Sequence, residues 1–210
     1  MITATARSAS EVTEEQAKTS VYGFLADVLS SHPTPDSMSG LGQMSEVLGV
    51  AYVSDSALAT LDREYMDLFV VPNPRYVAPY ESVYRDRWML PALPSDGATP
   101  DTKSQMIKGL LMGDSTLKVQ QCFVEAGVVP SDDLPDHIAN ELRLMAYLSA
   151  RLSEVSLEDG KALAEIRAKL REEHILQWIS QLRARVLESA HLGYYAAALE
   201  IAELVLNDDL

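Results

Sequence analysis

Helical periodicity runs through almost all of this 210-residue chain and predicts an all-α fold. Three observations carry that expectation. Apolar residues recur at i, i+3, i+4 and i+7 in one segment after another. Prolines and glycines fall mostly between those segments. No stretch shows the sustained apolar–polar alternation of a half-buried strand. A hydrophobic fraction of 47% is enough for one substantial core. The expected arrangement is a single bundle-like domain in two parts, residues 1–127 and 128–210, with a hinge near 128–136.

Each element has its own local reason. Thr13 and Gln16 have capping-box spacing, and Val21, Phe24, Leu25, Val28 and Leu29 then share one helical face. His32-Pro33 stops this helix, because the proline ring excludes the helical conformation of the residue before it. Leu41, Met44, Val47 and Leu48 outline a second helix, weakened by Gly40 and Gly42. Leu58, Leu61, Tyr65, Leu68 and Phe69 form the stripe of a third, which Pro72 ends. From Pro72 to Pro100 the chain reads as loop, with a helical turn at Glu81 to Arg87.

Helix is expected again near Asp101, with Met106, Leu110 and Leu111 apolar. Gly113-Asp114-Ser115 reads as a break and a fresh N-cap before Leu117 to Ala126, and Gly127 as the C-cap. After the polar linker VVPSDDLPDH, Ile138, Leu142, Met145, Leu148 and Leu152 mark a strongly amphipathic helix. Ser156 and Asp159 start another, which runs through Leu163, Ile166, Leu170 and Ile175 to Trp178. A last helix extends from about His191 to Leu206, with Leu199, Ala202 and Leu206 on one face. No strand is expected.

Charge and cysteine content exclude whole classes of function. The formal net charge is −14, so the surplus of Lys and Arg that nucleic acid or an anionic membrane surface requires is missing. An acidic surface attracts basic partners instead. Cys122 is the single cysteine, which leaves no internal disulfide and no thiolate zinc cluster within one chain. The N-terminal stretch lacks the basic start and apolar run of a secretory signal. The most apolar segment, Tyr194 to Leu206, carries Glu200 and Glu203, so no membrane span and a cytoplasmic location are expected.

The stretch Glu64 to Tyr84 stands apart. It begins as helix, then holds Pro72, Pro74 and Pro79, and contains five of the chain's fourteen aromatics: Tyr65, Phe69, Tyr76, Tyr80 and Tyr84. A rigid aromatic loop of this kind suits a surface that grips a ligand, or one that pins the loop to the bundle. His137 and Glu141, at i and i+4, face one way and suit a local hydrogen bond, a functional pair, or two of the three ligands a catalytic zinc needs. Asp132, Asp133 and Asp136 precede that helix. They either complement its dipole or form an anionic rim for arginine side chains. His174 and Trp178 are again four apart, with Trp178 read as core. Ser82, Ser115 and Cys122 lack flanking nucleophile motifs, and no glycine-rich phosphate cradle occurs, so no enzyme case assembles. A helical metal-dependent hydrolase built on His137 and Glu141, and a structural adaptor, are the competing readings.

Three segments together carry a family resemblance. They are EYMDLFVVP at Glu64 to Pro72 with PYESVY at Pro79 to Tyr84, PDHIANELRLM at Pro135 to Met145, and EHILQWISQL at Glu173 to Leu182. In this order, in a helical chain of this length, they resemble the TorD/DmsD/NarJ family of cytoplasmic molybdoenzyme maturation chaperones. The resemblance implies an all-helical, non-enzymatic protein. Its partner would be the precursor of a molybdenum oxidoreductase, bound through its twin-arginine leader, held back from export and helped through cofactor insertion and folding.

By the same resemblance, Tyr65, Leu68, Phe69, Pro79, Tyr80, Ser82 and Tyr84 line one side of a peptide groove. Asp136, His137 and Glu141 supply its polar side, with Asp132, Asp133, His174 and Trp178 as support. No metal or resident cofactor is expected. Guanine nucleotide or a molybdopterin precursor enters by the resemblance alone, without support from residue spacing, and so does the choice between a monomer and a domain-exchanged dimer. The chain departs from the pattern at Glu81, where a small residue is usual, and so adds a charge to the groove. A leader with two guanidinium groups and an apolar run would need carboxylates beside an aromatic groove, as these motifs supply.

Overall fold

Prolines and caps set the helix boundaries one by one in the computed structural model, which describes residues 9–52, 56–90, 105–131 and 134–208. Helix α1 (Ala9–Ser30) starts ahead of Thr13, and the capping box forms one helix later. Thr34 Oγ1 accepts from the Ser37 amide and Ser37 Oγ from the Thr34 amide, with Pro35 opening α2 (Pro35–Leu48). Gly49 closes α2 at φ 71°, a left-handed conformation that glycine adopts without a Cβ penalty. Helix α3 (Leu58–Tyr65) runs on into a π-helical turn, Met66–Val70.

A one-turn helix α4 (Glu81–Arg85) leads into a ribbon that the periodicity did not predict. Strands β1 (Arg87–Leu90) and β2 (Gln105–Lys108) pair antiparallel, with Arg87 opposite Lys108. The expected absence of strands is therefore corrected, and so is the helix expected near Asp101, whose residues 101–104 lie outside the described ones. The spacing of Met106, Leu110 and Leu111 fits a helix, but a ladder to residues far away in the chain outweighs a local pattern this short.

Helix α5 (Asp114–Ala126) ends at Gly127, φ 71°, and α6 (Ile138–Glu154) follows the linker. The long helix expected from Ser156 to Trp178 divides. Ser156 and Asp159 do exchange capping bonds, but they close a turn ahead of α7 (Lys161–Lys169). A π turn, Leu170–His174, and a 3-10 turn, Ile175–Gln177, follow. Helix α8 (Ile179–Ser189), which the periodicity did not set apart, and α9 (Tyr194–Asp208) complete the chain.

The core forms where α1 lies along α6 and α9 packs against α1, α2 and α8. One apolar core therefore runs across the linker. Leu25, Leu142 and Leu148 are fully buried, each contributing on the order of 1.5–3 kcal/mol. Helix α9 is buried on nearly every side through Tyr194, Tyr195, Ala198, Leu199, Ile201, Ala202 and Leu206. Its alanines let neighbouring helices approach closely, which explains why its apolar pattern is a sleeve rather than a stripe. Among the described residues, no helix is long and apolar enough to cross a membrane.

Candidate functional site

The loop after the π turn is built by Asn73. Its side-chain amide donates to the carbonyls of Asp67 and Val71, and its Oδ1 accepts from the Arg75 amide, turning the chain at Pro74. Arg75 then reaches Glu64, Asp67 and the Ser189 carbonyl. Val77 enters the core, with its amide on the Leu68 carbonyl at 2.7 Å.

Beyond this turn, two motifs far apart in sequence join. Tyr80 and His137 form an isolated antiparallel bridge. The Glu81 amide donates to the Asp136 carbonyl at 2.9 Å, and the Ile138 amide to the Pro79 carbonyl at 3.0 Å. Asp136 Oδ2 accepts from the Ser82 amide at 3.0 Å and so caps α4. His137 caps α6: its Nδ1 accepts from the Ala139 amide at 3.1 Å, which places a neutral ring's proton on Nε2. Its ring stands edge-on to Tyr80 with centroids 5.1 Å apart.

Under this stitch lies a buried group of carboxyls. Glu81, Asp136 and Glu141 are each 0% exposed. Glu81 receives Arg85 Nη1 on Oε1 and His174 Nδ1 at 2.9 Å on Oε2. Trp178 Nε1 donates to Glu141 Oε2 at 3.2 Å. Burial, then the neighbouring Glu81 charge and its hydrogen bond, then Asp136, push the Glu141 carboxyl well above the usual carboxylate range. Glu141 is therefore the protonated member. Its Oε1 finds no donor, and Glu81 lies within hydrogen-bonding reach of the Glu141 carboxyl. Two like charges this close in a dry interior cannot both persist.

The helix break at His174 serves this arrangement. With φ −118° and ψ −85°, His174 leaves helical geometry, so it and Trp178 are not stacked on one regular helix face. Each turns to a different acid, His174 to Glu81 and Trp178 to Glu141.

Outside the cluster the surface opens on both sides of Arg85. One cleft of about 550 Å³ is lined by Arg85, Arg87, Trp88, Asp114 and Lys118, and Trp88 is 43% exposed there. A second, of about 330 Å³, is lined by Arg85, Lys118, Glu173, His174 and Gln177.

The residues expected along one groove fall into two places. Tyr65 and Phe69 pack toward α9, their ring centroids 6.1 and 5.1 Å from that of Tyr195, and Leu68 is fully buried. Pro79, Tyr80, Ser82 and Tyr84 sit with Asp136, His137 and Glu141, and the Tyr84 ring rests on Trp178 at 5.4 Å. Leu68, Ser82, Asp136 and Glu141 are closed off from solvent, whereas Tyr80 and Tyr84 are half-buried. Asp132 and Asp133 lie outside the described residues. The expected His137–Glu141 pairing gives way to separate partners, because the cap turns His137 back on its own helix and Glu141 goes to Trp178. Among the described residues, no three His, Cys, Asp or Glu side chains are arranged to hold a metal ion.

Two residues that line these clefts, Arg85 and Trp88, are not among those the sequence marks for the site. Glu81 and Arg85 are four apart in the favoured acid-first order, a signal that was open to view.

A family model described as nitrate reductase delta subunit matches residues 35–184. Two proteins of Vibrio cholerae serotype O1, each named chaperone protein TorD, are similar to this chain. The El Tor Inaba protein is 28% identical over 151 residues, covering 71% of this chain and 60% of its own length. The Classical Ogawa protein is 25% identical over 150 residues, with the same shares. The chain thus spans 60% of the length of these relatives. Among solved structures, a protein of Archaeoglobus fulgidus described as a candidate redox enzyme maturation protein superposes with a TM-score of 0.51. It is 18% identical, over 90% of this chain and 93% of that one, a likeness of fold.

Proposed function

The chain belongs to the nitrate reductase delta subunit family, and on that premise we propose that it is a chaperone for the maturation of a redox enzyme, not itself an enzyme. Its client is the precursor of a molybdenum oxidoreductase. The chaperone binds the client's twin-arginine leader in the cytoplasm and assists cofactor insertion and folding before export. The similar proteins named as chaperones support this reading.

The observation that carries it is the joining of Pro79–Tyr84 to Asp136–Glu141, which gathers three carboxyl groups behind a cleft edged by an exposed indole. Guanidinium groups seek paired carboxyl and carbonyl acceptors, and an apolar run seeks aromatic surface. Tyr80, Tyr84 and Trp88 offer that surface at small rotamer cost. Asp136 and Glu141 set the polar floor beneath it, while Tyr65, Leu68 and Phe69 hold the loop from the core side. Each arginine–carboxylate pair or desolvated aromatic anchor contributes on the order of 1–3 kcal/mol, enough together for micromolar binding.

Calorimetric titration with a synthetic twin-arginine leader tests the reading. One-to-one binding that disappears when both arginines are replaced by glutamine is expected. Absence of heat with every leader encoded beside this gene would remove the proposal.

A further inference from the structure

The cation that faces Glu81 from the solvent side belongs to the protein itself. Glu81 is fully buried, and its two nitrogen partners differ in access: His174 is 2% exposed and Arg85 32%. Arg85 and Lys118 line both clefts, and of the two it is Arg85 that bonds the buried Glu81 and so stands in front of the carboxyls. Its Nη1 serves two acceptors at once, the Glu81 carboxylate and the Glu173 carbonyl, the latter at 2.6 Å. Behind it, Asp136 Oδ1 is buried without a hydrogen-bond donor among the described residues. The site is thus furnished for guanidinium and holds more acceptor capacity than Arg85 uses.

We propose that Arg85 is a built-in occupant of the arginine subsite, displaced when an arginine of a bound leader enters and takes over Glu81 and the Glu173 carbonyl. This rests on the reading of the protein as a twin-arginine receptor. Exchanging one guanidinium for another never leaves the buried carboxylate unpaired, which removes the main obstacle to opening a closed acidic site. The same exchange sets specificity. Arg85 meets both acceptors through a single nitrogen, so an incoming guanidinium that does the same keeps its other nitrogens for further acceptors, whereas a lysine ammonium has one nitrogen only. Arg85 closes a helix of only five residues, so its release disturbs little secondary structure. Once released, it finds the exposed carboxylate of Asp114 in the larger cleft. The internal competitor lowers apparent affinity, since only the fraction with an open subsite binds.

The test titrates a synthetic twin-arginine leader into wild type, R85Q and R85A, followed by calorimetry and by Trp88 fluorescence, with ethylguanidinium added to R85A in parallel melts. Leader affinity at least about fivefold tighter in R85Q than in wild type is expected. Ethylguanidinium should raise the melting temperature of R85A more than that of wild type. Unchanged or weaker leader binding by a folded R85Q overturns the displacement while leaving the receptor reading intact. Variants that stay unfolded even with ethylguanidinium also overturn it, because a displaceable contact cannot be a condition of folding. If wild type and both variants bind no leader, the receptor reading itself falls and this inference with it.

Discussion

Trp178 Nε1 donates to Glu141 Oε2 at 3.2 Å, joining residues 37 positions apart in a pocket where neither is exposed. The indole holds one oxygen of an acid whose carboxyl neighbours Glu81. A buried acid beside two other carboxyls stays neutral because burial and like charge act in the same direction.

That neutrality has a pH signature. The folded protein keeps a proton on Glu141 that the unfolded chain releases above its ordinary value of 4.5. The resulting stability is fully present below that pH and is lost as pH rises through the raised folded value, with a slope of up to about 1.4 kcal/mol per pH unit. Glu141→Gln mimics the protonated acid, keeping an acceptor for Trp178 and a donor for Glu81. Urea unfolding between about pH 5 and about pH 8 should show a falling stability in wild type and a flatter profile in the variant. Parallel profiles would mean that Glu141 is ionised in the fold.

Glu64 does a different kind of work at the start of α9. Its Oε1 accepts from the amides of His191 and Leu192, at 2.5 and 3.0 Å, and from Arg75 at 3.0 Å. Glu64→Ala strands all three donors, and a loss of about 2–3 kcal/mol is expected in chemical unfolding, with Glu64→Gln losing about half as much. Equal losses would show that charge, not acceptor placement, matters.

Space rather than dihedral angle dictates glycine at position 113. Its φ of −86° suits any residue, but an added Cβ would lie 2.0 Å from Asp86 Oδ2. Asp86 is the side chain that caps α5, accepting from the Ser115 amide at 2.9 Å and its hydroxyl at 2.6 Å. Gly113→Ala should displace that cap and cost about 1–2 kcal/mol. Gly23→Ala, inside α1 with nothing within 4 Å, should instead stabilise by up to about 1 kcal/mol. Thermal melts of the two variants should move in opposite directions.

The α1 and α6 faces and the Gly127 cap were open to reading because each depends on residues within one or two turns. The β1–β2 ribbon was not, since RWML and QMIK carry no alternation and acquire meaning only opposite one another. The sleeve-like burial of α9 likewise hid in an apolar composition that fits several packings. In the candidate site, the motif residues were legible but their neighbours were not. Tyr65 and Phe69 looked like companions of Tyr80, yet they stack toward Tyr195.

By itself, the sequence determined an acidic, predominantly helical chain with most of its breaks at prolines and glycines, and it marked the three segments that carry the family pattern. Helix periodicity and backbone restriction are local, so a linear string expresses them in full. Only the tertiary structure decided that Glu81 meets His174, 93 residues away, that Glu141 meets Trp178, and that Arg85 stands between them and solvent. Those choices depend on distance and desolvation in three dimensions. A carboxyl's charge, partner and reach are set by what is folded around it.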